Sequence, residues 1–264
     1  MKPKRSNPSA RELVCDVAGA PDGLCALAEK FIAQYVEDNT RLGTLIKEMD
    51  EYAGRQQSRR GIGPEETYFY QFSRDNYHAI NVSEAILLFA IGVQLAANAC
   101  GEHGKDTKAV VSCGAAENSG TAYHNAATNE IGLTVTGISE YICSKNAAII
   151  TNNYLRSMAS SRSETYIQDV ISAGAEEYYH TVQRNDPKKW RQLQSELVEK
   201  YGSEWDKGKR ADALLLARQF HNEEGFRRHD PLEKDAHAFR EAQMSKIIEA
   251  AEKFRQSHKS AKLK

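Results

Sequence analysis

The sequence predicts a mostly helical α+β protein. Strong helix formers such as Ala, Glu, Leu, Lys and Arg are plentiful among the 264 residues, whereas Gly (17) and Pro (6) are few. Apolar side chains recur at helical spacing over most of the chain. Only one segment, about residues 107–136, has the short, turn-separated runs that are typical of strands. We therefore expect helices, then a small β segment, then further helices.

The charge balance and the cysteines exclude several classes of protein. The chain carries 35 Lys and Arg against 36 Asp and Glu, so no global field favours nucleic acid or an anionic membrane. No glycine-rich phosphate loop is found, and the five cysteines are scattered without a C-x-x-C pair. We expect a cytoplasmic protein that does not act on nucleic acid or a membrane. Delivery into a host cell by a route without a cleavable signal stays open.

The first part of the chain is predicted to be helical after a short leader. Two prolines precede the first helical pattern and a Gly-Ala-Pro-Asp-Gly turn follows, so residues 1–22 are expected to form a flexible leader. Over residues 24–52 apolar side chains recur at helical spacing with an interruption near Asn39, which indicates one helix or two. Residues 23–105 form the predicted helical N-terminal part.

The most apolar run of the sequence, residues 85–100, is interpreted as a buried helix. It contains Gln94 and Asn98, and it falls short of the ~20 apolar residues that span a bilayer. We therefore expect this run to lie in the protein core rather than in a membrane.

Residues 106–258 are predicted to form an α+β region, followed by a basic tail over residues 259–264. Three short strands are expected at residues 109–113, 120–124 and 130–136, because turn-forming clusters separate these apolar runs. If the third strand lay at the edge of the sheet, it could align an extended substrate by backbone pairing.

Residues 163–183 contain the arrangement that most strongly suggests chemistry. At 100° per residue, apolar side chains fall on one face of a helix, and a polar stripe that includes Glu176 and His180 falls on the other. Residues i and i+4 are neighbours on a helix, so this carboxylate and this imidazole can hold one metal ion. Glu177 points to the side of the pair, where a general base would lie.

The string EEYYH at residues 176–180 resembles the active-site helix of zincin metallopeptidases, whose pattern is HExxH. Glu176 stands where that pattern has its first His. The resemblance covers roughly residues 107–245 and implies a zinc-dependent peptidase. In such an enzyme Glu177 would activate a metal-bound water and His180 would be a metal ligand. Glu176 would be either a substitute ligand or the mark of an inactive site.

The resemblance also implies a third ligand from a later helix. The string DPLE at residues 230–233 predicts the start of a long C-terminal helix, because Asp is a preferred cap and Pro fits the first helical position. In zincins with an acidic third ligand, that ligand comes from such a downstream helix. Glu233 is therefore the first candidate, and Asp235 and His237 are the alternatives.

The spacing of Glu176 and His180 recurs in Glu233 and His237. If the two helices lay face to face, the two pairs would form a mixed carboxylate and imidazole site. Such a donor set suits Zn, or Mn or Fe where carboxylates dominate, better than Ca.

Three interpretations of function compete. The first is a metal-dependent hydrolase, and the second is a non-enzymatic helical interaction protein with an inactive zincin-like site. The third is a helix-bundle metal-carboxylate protein, which uses the ExxH spacing of Glu177 and His180 and requires carboxylates from the early helices, for example Glu84, to approach His180. A thiol nucleophile at Cys113 with His124 as its base has no supporting signature, so a structural cysteine is favoured.

Overall fold

A computed structural model describes residues 8–59, 61, 63–113, 120–201 and 230–262. It confirms the mostly helical α+β fold class, with one small sheet among the helices of the described residues. The helices are α1 (Ala10–Ala18), α2 (Ala26–Ile32), α3 (Asn39–Gln57), α4 (Pro64–Asp75), α5 (Ala79–Cys100), α6 (Val135–Lys145), α7 (Asn153–Arg162), α8 (Tyr166–Asn185), α9 (Pro187–Tyr201) and α10 (Pro231–Lys262); the strands are β1 (Lys108–Ser112), β2 (Ala122–Asn125) and β3 (Glu130–Thr134).

Helix α1 corrects the expectation of a flexible leader over residues 1–22. Ser9 and Glu12 form a reciprocal capping box at its start, and Gly19 ends it in the left-handed conformation with a φ of 67°. Two valines of this helix are buried in the core. The expectation failed because a single apolar stripe is enough to dock a short, well-capped helix. Residues 1–7 lie outside the described part of the chain.

The interruption predicted near Asn39 is confirmed. A π-helical turn over Ala33–Glu37 follows α2. The carboxylate of Asp38 then accepts a hydrogen bond from the backbone N–H of Arg41 at 2.9 Å and so caps α3. The predicted segment is therefore two helices.

Helix α5 is buried, as its apolar sequence predicted. Within the described residues it is the one helix long and apolar enough to cross a membrane, yet 78% of its apolar window is buried inside the protein. Its Gln94 accepts a hydrogen bond from the backbone N–H of Cys25 at 2.6 Å. One hydrophobic core surrounds α5 and takes side chains from α1 to α8 and from α10, so the predicted parts 23–105 and 106–258 share it.

The three predicted strands are confirmed. The sheet order is β1-β3-β2, with β1 parallel and β2 antiparallel to β3. The condition for substrate pairing by the third strand, an edge position, is not met, because β3 is central. Four of its five residues are buried, whereas all residues of β2 are half-buried, so the most apolar strand occupies the middle. Strands β1 and β2 lie at the two edges of the sheet, and β2 contacts α8.

Helix α8 has two faces with different neighbours. Its apolar face crosses α5 at a close backbone contact, where Gly92 meets Gly174. A Cβ at Gly174 would lie 2.2 Å from the carbonyl oxygen of Phe89, and a Cβ at Gly92 would lie 2.0 Å from that of Ile171. The opposite, polar face of α8 contacts α10. The region predicted as a basic tail at 259–264 continues α10 as far as Lys262.

Candidate metal centre

Helix α10 begins where the sequence predicted. The carboxylate of the buried Asp230 accepts a hydrogen bond from the backbone N–H of Leu232 at 2.9 Å, and Pro231 occupies the first helical position. This start brings the first turns of α10 against the polar stripe of α8. We call the surface of contact the α8–α10 seam, and its residues are Glu176, His180 and Gln183 of α8 and Glu233, Asp235, His237 and Arg240 of α10.

Three of the sequence-predicted ligands converge in this seam. Glu176, Glu233 and His237 each offer one ligand atom, and these three atoms all lie within 4.8 Å of one another. The side chains of these residues are 14%, 31% and 40% exposed, so the cluster lies at an open rim of the seam. Two carboxylates and one imidazole form a donor set that fits Zn, Mn or Fe.

His180, also predicted as a ligand, lies beside this cluster. Its Nε2 is 3.7 Å from Oε2 of Glu233, and its Nδ1 is 2.8 Å from Oε1 of Gln183. The ring of His124 in β2 stacks on it, with 5.9 Å between centroids. Burial lowers the pKa of His180, but its contact with Glu233 and the charges of Glu233 and Glu177 outweigh burial and raise that pKa to about 10. These contacts favour the charged, imidazolium form of His180.

Arg240 is the closest cationic partner of Glu176. Its Nη1 donates a hydrogen bond to Oε2 of Glu176 at 2.9 Å, while its Nη2 donates one to Glu241 at 3.2 Å. The other oxygen of Glu176, Oε1, lies 3.4 Å from Nε2 of His237. The two oxygens of this carboxylate thus face two different partners.

Asp235, an alternative ligand from the sequence, is engaged elsewhere in the seam. Nε2 of Gln183 donates hydrogen bonds to the carbonyl of Leu232 and to Oδ2 of Asp235, both at 2.9 Å. Nζ of Lys189 lies 2.8 Å from the same Oδ2, and it also contacts the hydroxyl of Tyr179. Asp235 therefore helps to hold α9 and α10 against the end of α8.

Glu177, the predicted general base, is half-buried and follows Glu176 by one residue, a rotation of about 100° around the helix. Its charge acts on His180, as the raised pKa of that imidazole indicates. It is not one of the three converging ligands. Its role as a base stays a prediction.

Sequence reasoning missed three side chains of the site. Arg240 and Gln183 each lie three residues after a predicted ligand, so helical spacing alone placed them on the same face as His237 and His180. Their contacts across the seam, Arg240 with Glu176 and Gln183 with Asp235, join different helices. His124 comes from the sheet, and no local signal pointed to its contact with His180.

The position of Glu84 bears on the bundle interpretation. Glu84 does not approach His180; it contacts Tyr141 and Lys145, and the ring of Tyr141 packs on Tyr166 at the start of α8. Tyr166 precedes His180 by 14 residues, or about 21 Å along the helix. The bundle interpretation therefore loses Glu84, the carboxylate given as its example.

Thiol catalysis is likewise disfavoured. Burial raises the pKa of the Cys113 thiol to about 11, which leaves little thiolate at neutral pH. A structural cysteine explains this residue.

In comparisons with protein-family models, with curated proteins and with solved structures, no match to this chain was found. Function must therefore be argued from the seam itself.

Proposed function

We propose that the protein is a metal-dependent hydrolase of zincin-like type that cleaves protein or peptide substrates. Glu176, Glu233 and His237 would hold one divalent ion, with zinc as the first candidate and Mn or Fe as alternatives. The observation that carries this proposal is the convergence of their three ligand atoms within 4.8 Å. Three protein ligands leave room for water or substrate, as in catalytic zinc sites.

The surroundings of the cluster support access by a substrate. His237 and Glu233 are partly exposed. Strand β2 contacts α8 and is paired on only one side within the described residues, so an extended peptide could add to its other edge. This geometry would bring a peptide backbone alongside the helix that carries Glu176 and Glu177.

The residues around the bound ion would have different catalytic roles. A bound ion would polarise the scissile carbonyl and lower the pKa of a water molecule. Glu177 would accept the proton of that water, while His180 would orient Glu233 through their 3.7 Å contact. In an alternative arrangement, His180 gives up its proton and becomes a ligand itself.

Metal content tests the binding step. The purified, tag-free protein, analysed by elemental mass spectrometry, should contain near one equivalent of zinc. Glu176→Ala and His237→Ala should each lose it, because each removes one of three ligands. Glu249→Ala removes an exposed carboxylate farther along α10, so this control should keep the metal. An absence of bound metal, even after zinc is supplied and the excess removed, would refute the proposal.

The Glu177→Gln variant tests the catalytic step. With a peptide library as substrate and cleavage followed by mass spectrometry, this variant should lose turnover and keep its zinc. The amide cannot accept the proton, yet it is not a ligand. Loss of both properties, or of neither, would contradict the role of Glu177.

A second candidate is a non-enzymatic helical interaction protein in which the seam only fastens α10 to α8. The observation that favours it is that both carboxylates already have cationic partners, Arg240 for Glu176 and His180 for Glu233. In that case a chelator would leave the thermal unfolding temperature unchanged, and Glu176→Gln would lower it even in metal-free protein.

A further inference from the structure

We infer that Arg240 is a built-in competitor of the metal ion and sets how readily the site fills. The inference rests on the proposed function and adds a regulatory element to it. Arg240 lies one helical turn beyond His237 on α10 and is bonded to the ligand carboxylate of Glu176.

The competition follows from the position of the guanidinium. It donates to Oε2 of Glu176 at 2.9 Å, and the side chains of Glu176 and Arg240 are only 14% and 26% exposed. Solvent therefore screens this pair less than it screens a surface pair. Arg is charged at every physiological pH, so Arg240 permanently cancels the charge of one of the two carboxylates that a cation needs.

The positive charge of Arg240 would also repel a divalent ion at the cluster directly. Oε1 of Glu176 faces His237, and Oε2 accepts a hydrogen bond from the guanidinium of Arg240. The ion and the guanidinium would therefore share one carboxylate. Like charges at such short range oppose each other strongly where water is scarce. Binding of the ion is therefore favoured when Arg240 moves away.

The contacts of Arg240 allow such a movement. Its Nη2 donates a hydrogen bond to the exposed Glu241, and its buried Nε has no hydrogen-bond partner among the described residues. Release from Glu176 thus breaks one hydrogen bond, while Glu241 can retain the guanidinium near the surface. Arg240 would act as a latch that opens when the ion concentration is high enough.

Zinc titration of purified full-length protein tests the latch. Dissociation constants are measured by isothermal titration calorimetry at pH 7.5, against a weak competing chelator. Arg240→Met should bind zinc at least about tenfold more tightly than the original protein, because the competing charge is gone. Arg240→Lys, which keeps the charge, should stay within about threefold of the original affinity.

Two further variants separate the latch from general effects. Arg255→Met makes the same change of net charge 15 residues farther along α10, or about 22 Å away, and should leave the zinc affinity unchanged. The double variant Glu176→Gln with Arg240→Met should lose the gain, since the contested carboxylate is absent. Arg240→Gln is a second neutral variant in case Arg240→Met does not fold.

The outcomes distinguish the two proposals. If the original protein binds zinc through His237 and both neutral variants bind it equally or more weakly, the latch is refuted and the metal site stands. If neither the original protein nor any Arg240 variant shows zinc binding that His237→Ala removes, the proposed function fails and the latch with it.

Discussion

The two faces of α8 differ in their role: one packs closely against α5, and the other carries ionisable groups toward α10. The face toward α5 is apolar and so close that backbones touch at Gly92 and Gly174. The face toward α10 is lined by ionisable groups, with Glu176 and Glu233 contributing to a cluster at an open rim. The first contact fixes where the helix lies. The second holds groups whose charge can change or bind an ion.

The two faces also differ in how much structural change each can accommodate. Close-packed backbone has no room for one added carbon, since interiors are packed like crystals. A partly exposed ionic contact, by contrast, gains modest free energy and can be rearranged at small cost. The α5 face should therefore dominate stability, and the α10 face should respond to pH and ions.

The largest expected effect comes from filling the glycine contact. Gly174→Ala places a Cβ 2.2 Å from the carbonyl oxygen of Phe89, which is backbone and cannot move aside without shifting α5. We expect the free energy of unfolding to fall by more than about 3 kcal/mol, at or beyond the upper end for overpacked cores. Urea unfolding followed by circular dichroism measures it.

Gly43→Ala in α3 is the matched control. Apart from the adjoining backbone of α3 and the chain neighbours of Gly43, no atom lies within 4 Å of the Cβ it would add, so higher helix propensity should stabilise the protein by up to about 1 kcal/mol. A similar loss of stability in both variants would mean that the contact with α5 does not decide the result.

An intermediate effect is expected from pH at the α10 face. The folded-state pKa of His180 is raised from 6.5 to about 10, so folded protein holds a proton that the unfolded chain releases above pH 6.5. The stabilisation is complete below pH 6.5 and is lost as pH rises toward 10. For metal-free protein, the free energy of unfolding should fall between pH 7 and 8.5 by up to about 1.4 kcal/mol per pH unit, the limit for one proton.

His180→Gln should flatten this pH dependence, whereas His78→Gln, at an exposed histidine before α5, should not. Urea unfolding with a chelator present, at three pH values, gives the slopes. An unchanged slope in His180→Gln would show that the seam does not hold this proton.

The smallest effect is expected at the end of the seam. Lys189→Met removes an ion pair of 2.8 Å with Asp235 and a cation that lies 4.7 Å from the ring centroid of Tyr179. Because the pair is about one-third exposed, we expect a loss of about 1 kcal/mol or less. Lys253→Met, at a more exposed pair within α10, should cost less still. A larger loss of stability in Lys253→Met than in Lys189→Met would contradict the importance we assign to the seam.

Local sequence signals predicted most of the elements that carry the site. The strand runs, the break before α3 and the capped start of α10 all depend on neighbouring residues, so they can be read from the chain. Helix α1 was missed because its apolar stripe is short and follows prolines. The central position of β3 had no local signal, because strand order depends on which strand is most completely covered by its neighbours.

The sequence by itself determined that Glu176 and His180 share one face of a helix, and that Glu233 and His237 share one face of another. Helical periodicity dictates this, because residues four apart are neighbours whatever surrounds them. Only the tertiary structure decided that the two faces meet, that His237 joins the cluster while His180 stands beside it, and that Arg240 contacts Glu176. These contacts join residues more than 50 positions apart, and they depend on how α8 and α10 pack, which no local pattern specifies.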